Sequence, residues 1–275
     1  MDDRTRKDSL AAYYSDARHL RERQAGADGQ SVGGEFADWV LDLVGPLVFS
    51  SVLDAGAGVG RFTTRLAERA RPGVVITAVD LFPSMIEVLR SLRHRPDVEV
   101  RVVEADISDL PFDPAVFDLV MANHVLYHVQ DLAGVLSSMA MLLMPGGLFV
   151  ATTNAGNARV PVLELHREVC RRFGIEVTPD SSPFSSEDAG LILRGHFTTV
   201  VEHEFTKPAA PTTMAALVQS YRSTGRYQLL CQQRSEARVG DVAAEVLAAW
   251  RDQPEKLVGE VRMSALLCRD PTSPR

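Results

Sequence analysis

Cysteine is scarce: Cys170, Cys231 and Cys268 are the only three in 275 residues. They lie far apart and form no C-x-x-C pair, which argues against a zinc ribbon or a disulfide framework. Unpaired thiols fit a reducing compartment, so a cytoplasmic protein is expected. An excess of positive charge is also missing. The net charge is −7 at pH 7, so the electrostatic footprint of a nucleic-acid binder is absent and no such partner is expected. No apolar run approaches the roughly 18 residues of a membrane span, and no membrane partner is expected. The charged start, Met1 to Arg6, leads into no apolar segment, so no signal peptide is read there. His166, His196 and His203 lack metal-type spacing with one another or with acidic residues, and no metal is expected.

What is present is an alternation. Short apolar runs at 51–55, 74–80, 98–104, 117–123 and 148–153 are separated by helical patterns at 62–70, 83–92 and 132–143. Several runs are almost continuously apolar, as strands covered on both faces of a parallel sheet must be. Pro83 suits a first helical position, Asp131 an N-cap, and Pro145-Gly146-Gly147 a helix stop. The series predicts an α/β fold, a Rossmann-like doubly wound sheet flanked by helices, with ligands at the carboxyl ends of the strands. Before it come a helix at 8–24, a small polar tether and a helix at 35–44. After it come helices at 161–173, 187–193, 214–223 and 239–250, and strands at 197–205 and 260–268. The domain plan is therefore a lid helix and tether (1–34), a core (35–205), a helical insertion (206–256), a last core strand (257–268) and a disordered tail (269–275).

The central motif is Val52-Leu53-Asp54-Ala55-Gly56-Ala57-Gly58-Val59-Gly60, a strand running into a glycine-rich turn and then a helix. Glycine lets the backbone turn sharply and lets a ligand lie against it. A dinucleotide fingerprint is G-x-G-x-x-G/A; here the spacing is G-x-G-x-G, and Arg61 stands where the third small residue belongs. Alone, such a turn can be purely structural. It is not alone. The second run ends at Asp80, where a carboxylate can accept from both ribose hydroxyls. The third opens into Glu104-Ala105-Asp106-Ile107, where Asp106 either accepts from an adenine amino group or caps a loop. The fourth ends at Asn123 and opens into His124-Val125-Leu126-Tyr127-His128.

Together these segments resemble the class I S-adenosylmethionine (SAM) dependent methyltransferases, especially the small-molecule subgroup. The resemblance covers roughly residues 36–154. It implies a seven-stranded sheet, parallel with an antiparallel C-terminal strand, and SAM as cofactor with S-adenosylhomocysteine (SAH) as product. It implies that Asp54 and the turn Gly56, Ala57, Gly58 and Gly60 hold the methionine end. Asp80 would bind the ribose. Leu81 and Met85 would flank the adenine, with Asp106 and Ile107 on its other edge. Asn123 and His124 would run along the methionyl part through their backbones.

Methyl transfer is an in-line displacement, and aligning the reactants can supply about 7–11 kcal/mol. A base is optional. His128 is the first candidate and His124 the second; each can equally be a packed histidine at a turn. Tyr127 either lines the acceptor pocket or belongs to the core. Tyr13, Tyr14 and Arg18 on the first helix either touch cofactor and substrate or pack on the sheet. Tyr221, with Tyr227 and Trp250, either shapes an acceptor pocket or forms the insertion's own core. The expected partner is a small-molecule, secondary-metabolite acceptor, and the expected state a monomer or homodimer. The competing readings are an enzyme that holds SAM for another reaction such as cyclisation, an NAD- or FAD-dependent oxidoreductase, and a non-catalytic SAM-binding module.

Overall fold

In the computed structural model, strand β1 (Ser51–Ala55) lies at the centre of a sheet, paired in parallel with β2 (Val75–Asp80) on one side and β4 (Phe117–Asn123) on the other. Residues 33–155, 161–177, 183–208 and 213–272 are described. Strand β3 (Glu99–Glu104) extends the sheet beyond β2, and β5 (Leu143–Asn154) extends it beyond β4, both in parallel. The remaining strands form a hairpin: β7 (Glu260–Pro271) is antiparallel to β5 and to β6 (Phe197–Pro208). The order is β3-β2-β1-β4-β5-β7-β6. The chain winds outward from β1 to β3, then returns to the centre at β4. That reversal opens a crevice at the carboxyl ends of β1 and β4, where open α/β sheets bind ligands.

Side-chain parity builds the two faces. Val52 on β1, Leu119 and Met121 on β4, and Leu148 and Val150 on β5 turn to one face. There they meet Phe36, Val40 and Leu41 of α1 (Gly33–Val44) and Phe62, Leu66 and Ala67 of α2 (Arg61–Arg69). Helix α3 (Pro83–Ser91) places Ile86 and Leu89 over Ala78. The alternate residues, Leu53, Val120, Ala122, Phe149 and Ala151, face Val135, Leu136 and Met139 of α4 (Leu132–Leu142) and Ala189 and Leu193 of α6 (Ala189–Leu193). Phe149 and Phe197 stack there, with centroids 5.1 Å apart.

A separate apolar cluster joins α5 (Pro161–Arg172) to the insertion, α7 (Met214–Arg222), α8 (Gly225–Gln233) and α9 (Glu236–Ala249). Leu165, Val169, Leu217, Tyr221, Val239 and Val246 are its buried centre. Thr213, Thr224 and Ser235 cap the three helices by accepting from the N–H groups of Ala216, Tyr227 and Arg238.

Several expectations need correction. The fifth strand begins earlier than the expected residue 148: α4 stops at Leu142, and Pro145-Gly146-Gly147 lies in the irregular start of β5, with a register shift between Phe117 and Leu119 and Gly146 at φ +77. The expected tail begins too early. Arg269 pairs with Thr199 and Pro271 with Phe197, so β7 continues through them, and Thr272 N–H donates to His196 O at 2.8 Å. Helix α8 was not anticipated, because its nine residues, opened by Gly225, are too short to display a helical period; Thr224 was its N-cap signal. The lid helix expected at 8–24 lies outside the described residues.

Candidate active site

The parity that builds the core also aligns polar side chains. Asp54 lies one residue before the end of β1 on the same face as Val52, Asn123 ends β4 on the face of Met121, and Thr152 lies on β5 on the face of Val150. Asp80 closes β2 on the face of Ala78. Four polar groups thus gather at four strand ends, beside the first turn of α2. Thr63 Oγ1 donates to Asp54 Oδ2 at 2.7 Å, and Thr152 Oγ1 donates to Asn123 Oδ1 at 3.3 Å. Asp54 is 1% exposed. Burial pushes its pKa up to about 6, against the hydrogen bond from Thr63 and the polarity of the nearby Asn123 amide, while the charge of Asp80 adds to the rise.

Asp80 is aimed by backbone. Gly58 N–H donates to its Oδ2 at 2.8 Å and Phe82 N–H to its Oδ1 at 3.0 Å. Burial raises its pKa, and these N–H groups with that of Leu81 oppose the rise. Each carboxylate oxygen keeps a second lone pair for an incoming hydroxyl.

The turn between them needs glycine for two reasons. Gly56, Gly58 and Gly60 sit at φ +75, +57 and +80, where a β-carbon is strained. A β-carbon on Gly56 would also lie 2.5 Å from Val125 Cγ2, and one on Gly60 2.4 Å from Leu92 Cδ1. The N–H groups are largely spoken for. Those of Gly56 and Ala57 donate to Val79 O, that of Gly58 to Asp80, and that of Gly60 to Ala57 O. A turn that spends these donors internally is poorly made for the pyrophosphate of a dinucleotide. It suits a ligand whose polar groups meet carboxylates.

Residues 53–151 match the methyltransferase domain family. An uncharacterized methyltransferase of Mycobacterium tuberculosis is 31% identical over 188 residues, covering 68% of this chain and 68% of that one. The chain belongs to the class I SAM-dependent methyltransferases. A malonyl-[acyl-carrier protein] O-methyltransferase of Salmonella typhimurium is 34% identical over 147 residues, 54% of either chain. Among solved structures, the [4+2]-cyclase SpnF aligns with a TM-score of 0.51 at 18% identity, covering 89% of this chain and 83% of that one.

In this methyltransferase the residues expected beside the adenine differ in exposure. Leu81, just past β2, is 42% exposed, a large apolar side chain left at a strand end. Ile107 is buried nearby in the core that includes Val79. Met85 is 1% exposed and packs inward. Asp106 Oδ1 accepts from Ser108 N–H at 2.9 Å, so it does cap its loop, with its other oxygen able to accept as well.

The segment after β4 separates the two histidines. His124 adopts φ +52, and its N–H is shared between Thr152 O at 3.1 Å and Thr152 Oγ1 at 3.2 Å. Its ring packs 5.3 Å from that of Phe36, and its Nδ1 is buried with no hydrogen-bond partner among the described residues. Burial, with the charge of Arg61, lowers its pKa to about 4. Such an imidazole is neutral at pH 7 and a weak base, which weighs against His124 as proton acceptor. His128 closes a short 3-10 turn, Leu126–His128, anchored by the buried Leu126. The rings of Tyr127 and His128 lie 4.5 Å apart, both half-buried, and Tyr127 packs against the same core cluster as Leu126.

Tyr221 is fully buried among the insertion helices and lies 3.1 Å from His166 Nδ1 through its hydroxyl. Tyr227 and Trp250 share that core. Of the two readings of these aromatics, the insertion's own core is the one their packing fits. Tyr13, Tyr14 and Arg18 lie outside the described residues. The sequence reading overlooked Thr63 and Thr152. Their signal was parity with Asp54 and Asn123 on strand and helix ends, legible only once pairing registers are known.

Proposed function

We propose that the chain transfers the methyl group of SAM to an oxygen, nitrogen or carbon atom of a small secondary-metabolite acceptor and releases SAH. The observation that carries this reading is the convergence of Asp54, Asp80, Asn123 and the left-handed glycine turn on one crevice. Asp54 would take the methionine ammonium, Asp80 the ribose hydroxyls, and Leu81 and Ile107 the adenine faces, with Asp106 at its amino group. The bare backbone at Gly56–Gly60 admits the methionyl chain, which Asn123 and His124 border. When bound, SAM supplies an activated methyl on a sulfonium. The chain's own part is to align the acceptor, exclude water and, for an acceptor that must lose a proton, hold a base. His128, beside Tyr127, is the base of choice. Relatives named as O-methyltransferases support oxygen as the acceptor atom.

Incubation with methyl-labelled SAM and a library of small phenols, acids and amines, read by mass spectrometry, tests the reading. A product one methylene heavier, formed in step with SAH, is expected. Conversion without change of mass would overturn it in favour of cyclisation. His128→Ala should lower turnover by about 10²–10⁴ with SAM affinity unchanged; equal loss of affinity would make His128 structural.

A further inference from the structure

The insertion carries a groove of its own, away from the strand ends. Gln219 and Arg222 stand three residues apart on one face of α7, and Gln228 and Gln232 four apart on one face of α8. These faces line a cavity of about 840 Å³, which Glu236 in the first turn of α9 also borders. That is the size of a small-molecule site. The guanidinium of Arg222 extends over α9, where a β-carbon on Gly240 would lie 3.6 Å from its Nη2.

Tyr227 reaches this groove from the insertion's core. It is 4% exposed, and its ring meets that of Tyr221 edge-on with centroids 5.1 Å apart. Its hydroxyl is buried and has no hydrogen-bond partner among the described residues. The thiol of Cys231, which shares the groove, is a weak acceptor. A buried hydroxyl without a partner destabilises the fold, and phenylalanine would fill the same core without that cost. The hydroxyl therefore asks for an acceptor from outside the chain.

The rest of the lining says what kind. Three carboxamides, those of Gln219, Gln228 and Gln232, each donate and accept. None makes a side-chain hydrogen bond among the described residues, so turning them onto a ligand breaks no existing bond. Arg222 and Glu236 balance in charge, and both are exposed, where water screens them and ionic attraction contributes little. A carboxylate or phosphate here would meet Glu236 as well as Arg222. Recognition thus falls to neutral hydrogen bonds. A ring bearing several hydroxyls, each both donor and acceptor, uses every group in the set.

We propose that the groove between α7 and α8 is a second ligand site, separate from the cofactor crevice, that takes a neutral polyhydroxylated ring such as a sugar or cyclitol, with the Tyr227 hydroxyl donating to one of its oxygens. The proposal does not depend on the methyl-transfer reading, since no residue of the groove belongs to the strand ends or the glycine turn.

The test is titration followed by NMR, with methyl α-glucoside, methyl α-galactoside, methyl α-rhamnoside and myo-inositol as probes and cyclohexanol and glycine as controls. SAH is present to fill the crevice, where Asp80 would otherwise compete for hydroxyls. At least one polyol is expected to bind about ten-fold more tightly than either control and to shift the side-chain amide signals of Gln219, Gln228 and Gln232. Tyr227→Phe should leave the melting temperature unchanged or higher and weaken the polyol about five-fold, as should Gln228→Ala for binding, with SAH affinity unaltered in both. No polyol better than cyclohexanol, glycine as the strongest ligand, or wild-type binding in both variants would overturn the proposal. So would a large fall in melting temperature in Tyr227→Phe, which would give the hydroxyl a structural partner. Failure of the wild-type chain to bind SAH would defeat the cofactor reading instead; the amide shifts and the two variants would still decide the groove.

Discussion

Asp54 titrates at about 6 in the folded chain, above the ordinary value of 3.8, because burial disfavours its charge more than Thr63 and Asn123 favour it. An acid with a raised folded pKa binds its proton more tightly in the folded state, so stability falls as pH rises between the two values. The penalty is absent below about pH 4 and complete above about pH 6, where it amounts to roughly 3 kcal/mol. Asp54→Asn is therefore expected to stabilise the SAM-free protein by up to that amount at pH 7.5, with the gain vanishing near pH 4, and to weaken SAM binding. Urea unfolding across pH checks it; a gain independent of pH would contradict it. Gly56 makes the opposite case. Its φ of +75 and the 2.5 Å approach of Val125 Cγ2 to its would-be β-carbon leave alanine no room. Gly56→Ala should lose about 2 kcal/mol or more in the same measurement. Asp54 and the glycines were legible because strand, turn and helix adjoin in sequence. The low basicity of His124 was not, since it arises from burial under distant segments and from the charge of Arg61, which nothing local to His124 announces.

Among elements, the parallel strands were legible because a strand covered on both faces needs a continuous apolar run. Their inner boundaries were less so. Pro145-Gly146-Gly147 reads as a helix stop, yet β5 begins before it, because Phe117 pairs with Leu143 and the sheet resumes across the irregularity at Leu119 and Leu148. The insertion helices were only partly legible: two were expected, but α8 is too short to display a period. Its packing predicts a cooperative unit. Val246, fully buried between α9 and α5, has no contact with either face of the sheet in the apolar clusters. Val246→Ala should cost about 1–3 kcal/mol locally. Hydrogen exchange should quicken in 161–177 and 213–257 and stay unchanged in β1, β4 and β5. Equal quickening across the sheet would show that the insertion and core open as one.

At the scale of the molecule, the order β3-β2-β1-β4-β5-β7-β6 follows from connections the sequence displays: crossovers between parallel strands, then a hairpin reached through a long helical excursion. What it does not display is which distant segments meet. Helix α5 and the insertion helices α7, α8 and α9 share one apolar core, although β6 separates them in sequence. The residues proposed to hold the cofactor, by contrast, all lie in one continuous stretch of the chain. The account's central claim concerns that stretch: a nucleoside held at the ends of β1, β2 and β4, with its sulfur end against the glycine turn. Calorimetric titration of SAH into the folded protein and into Asp80→Asn tests it most directly. One SAH per chain is predicted, with affinity at least about ten-fold weaker in the variant, the loss expected for a charge-assisted hydrogen bond. No binding to the folded wild-type chain, or equal affinity in both proteins, would contradict it.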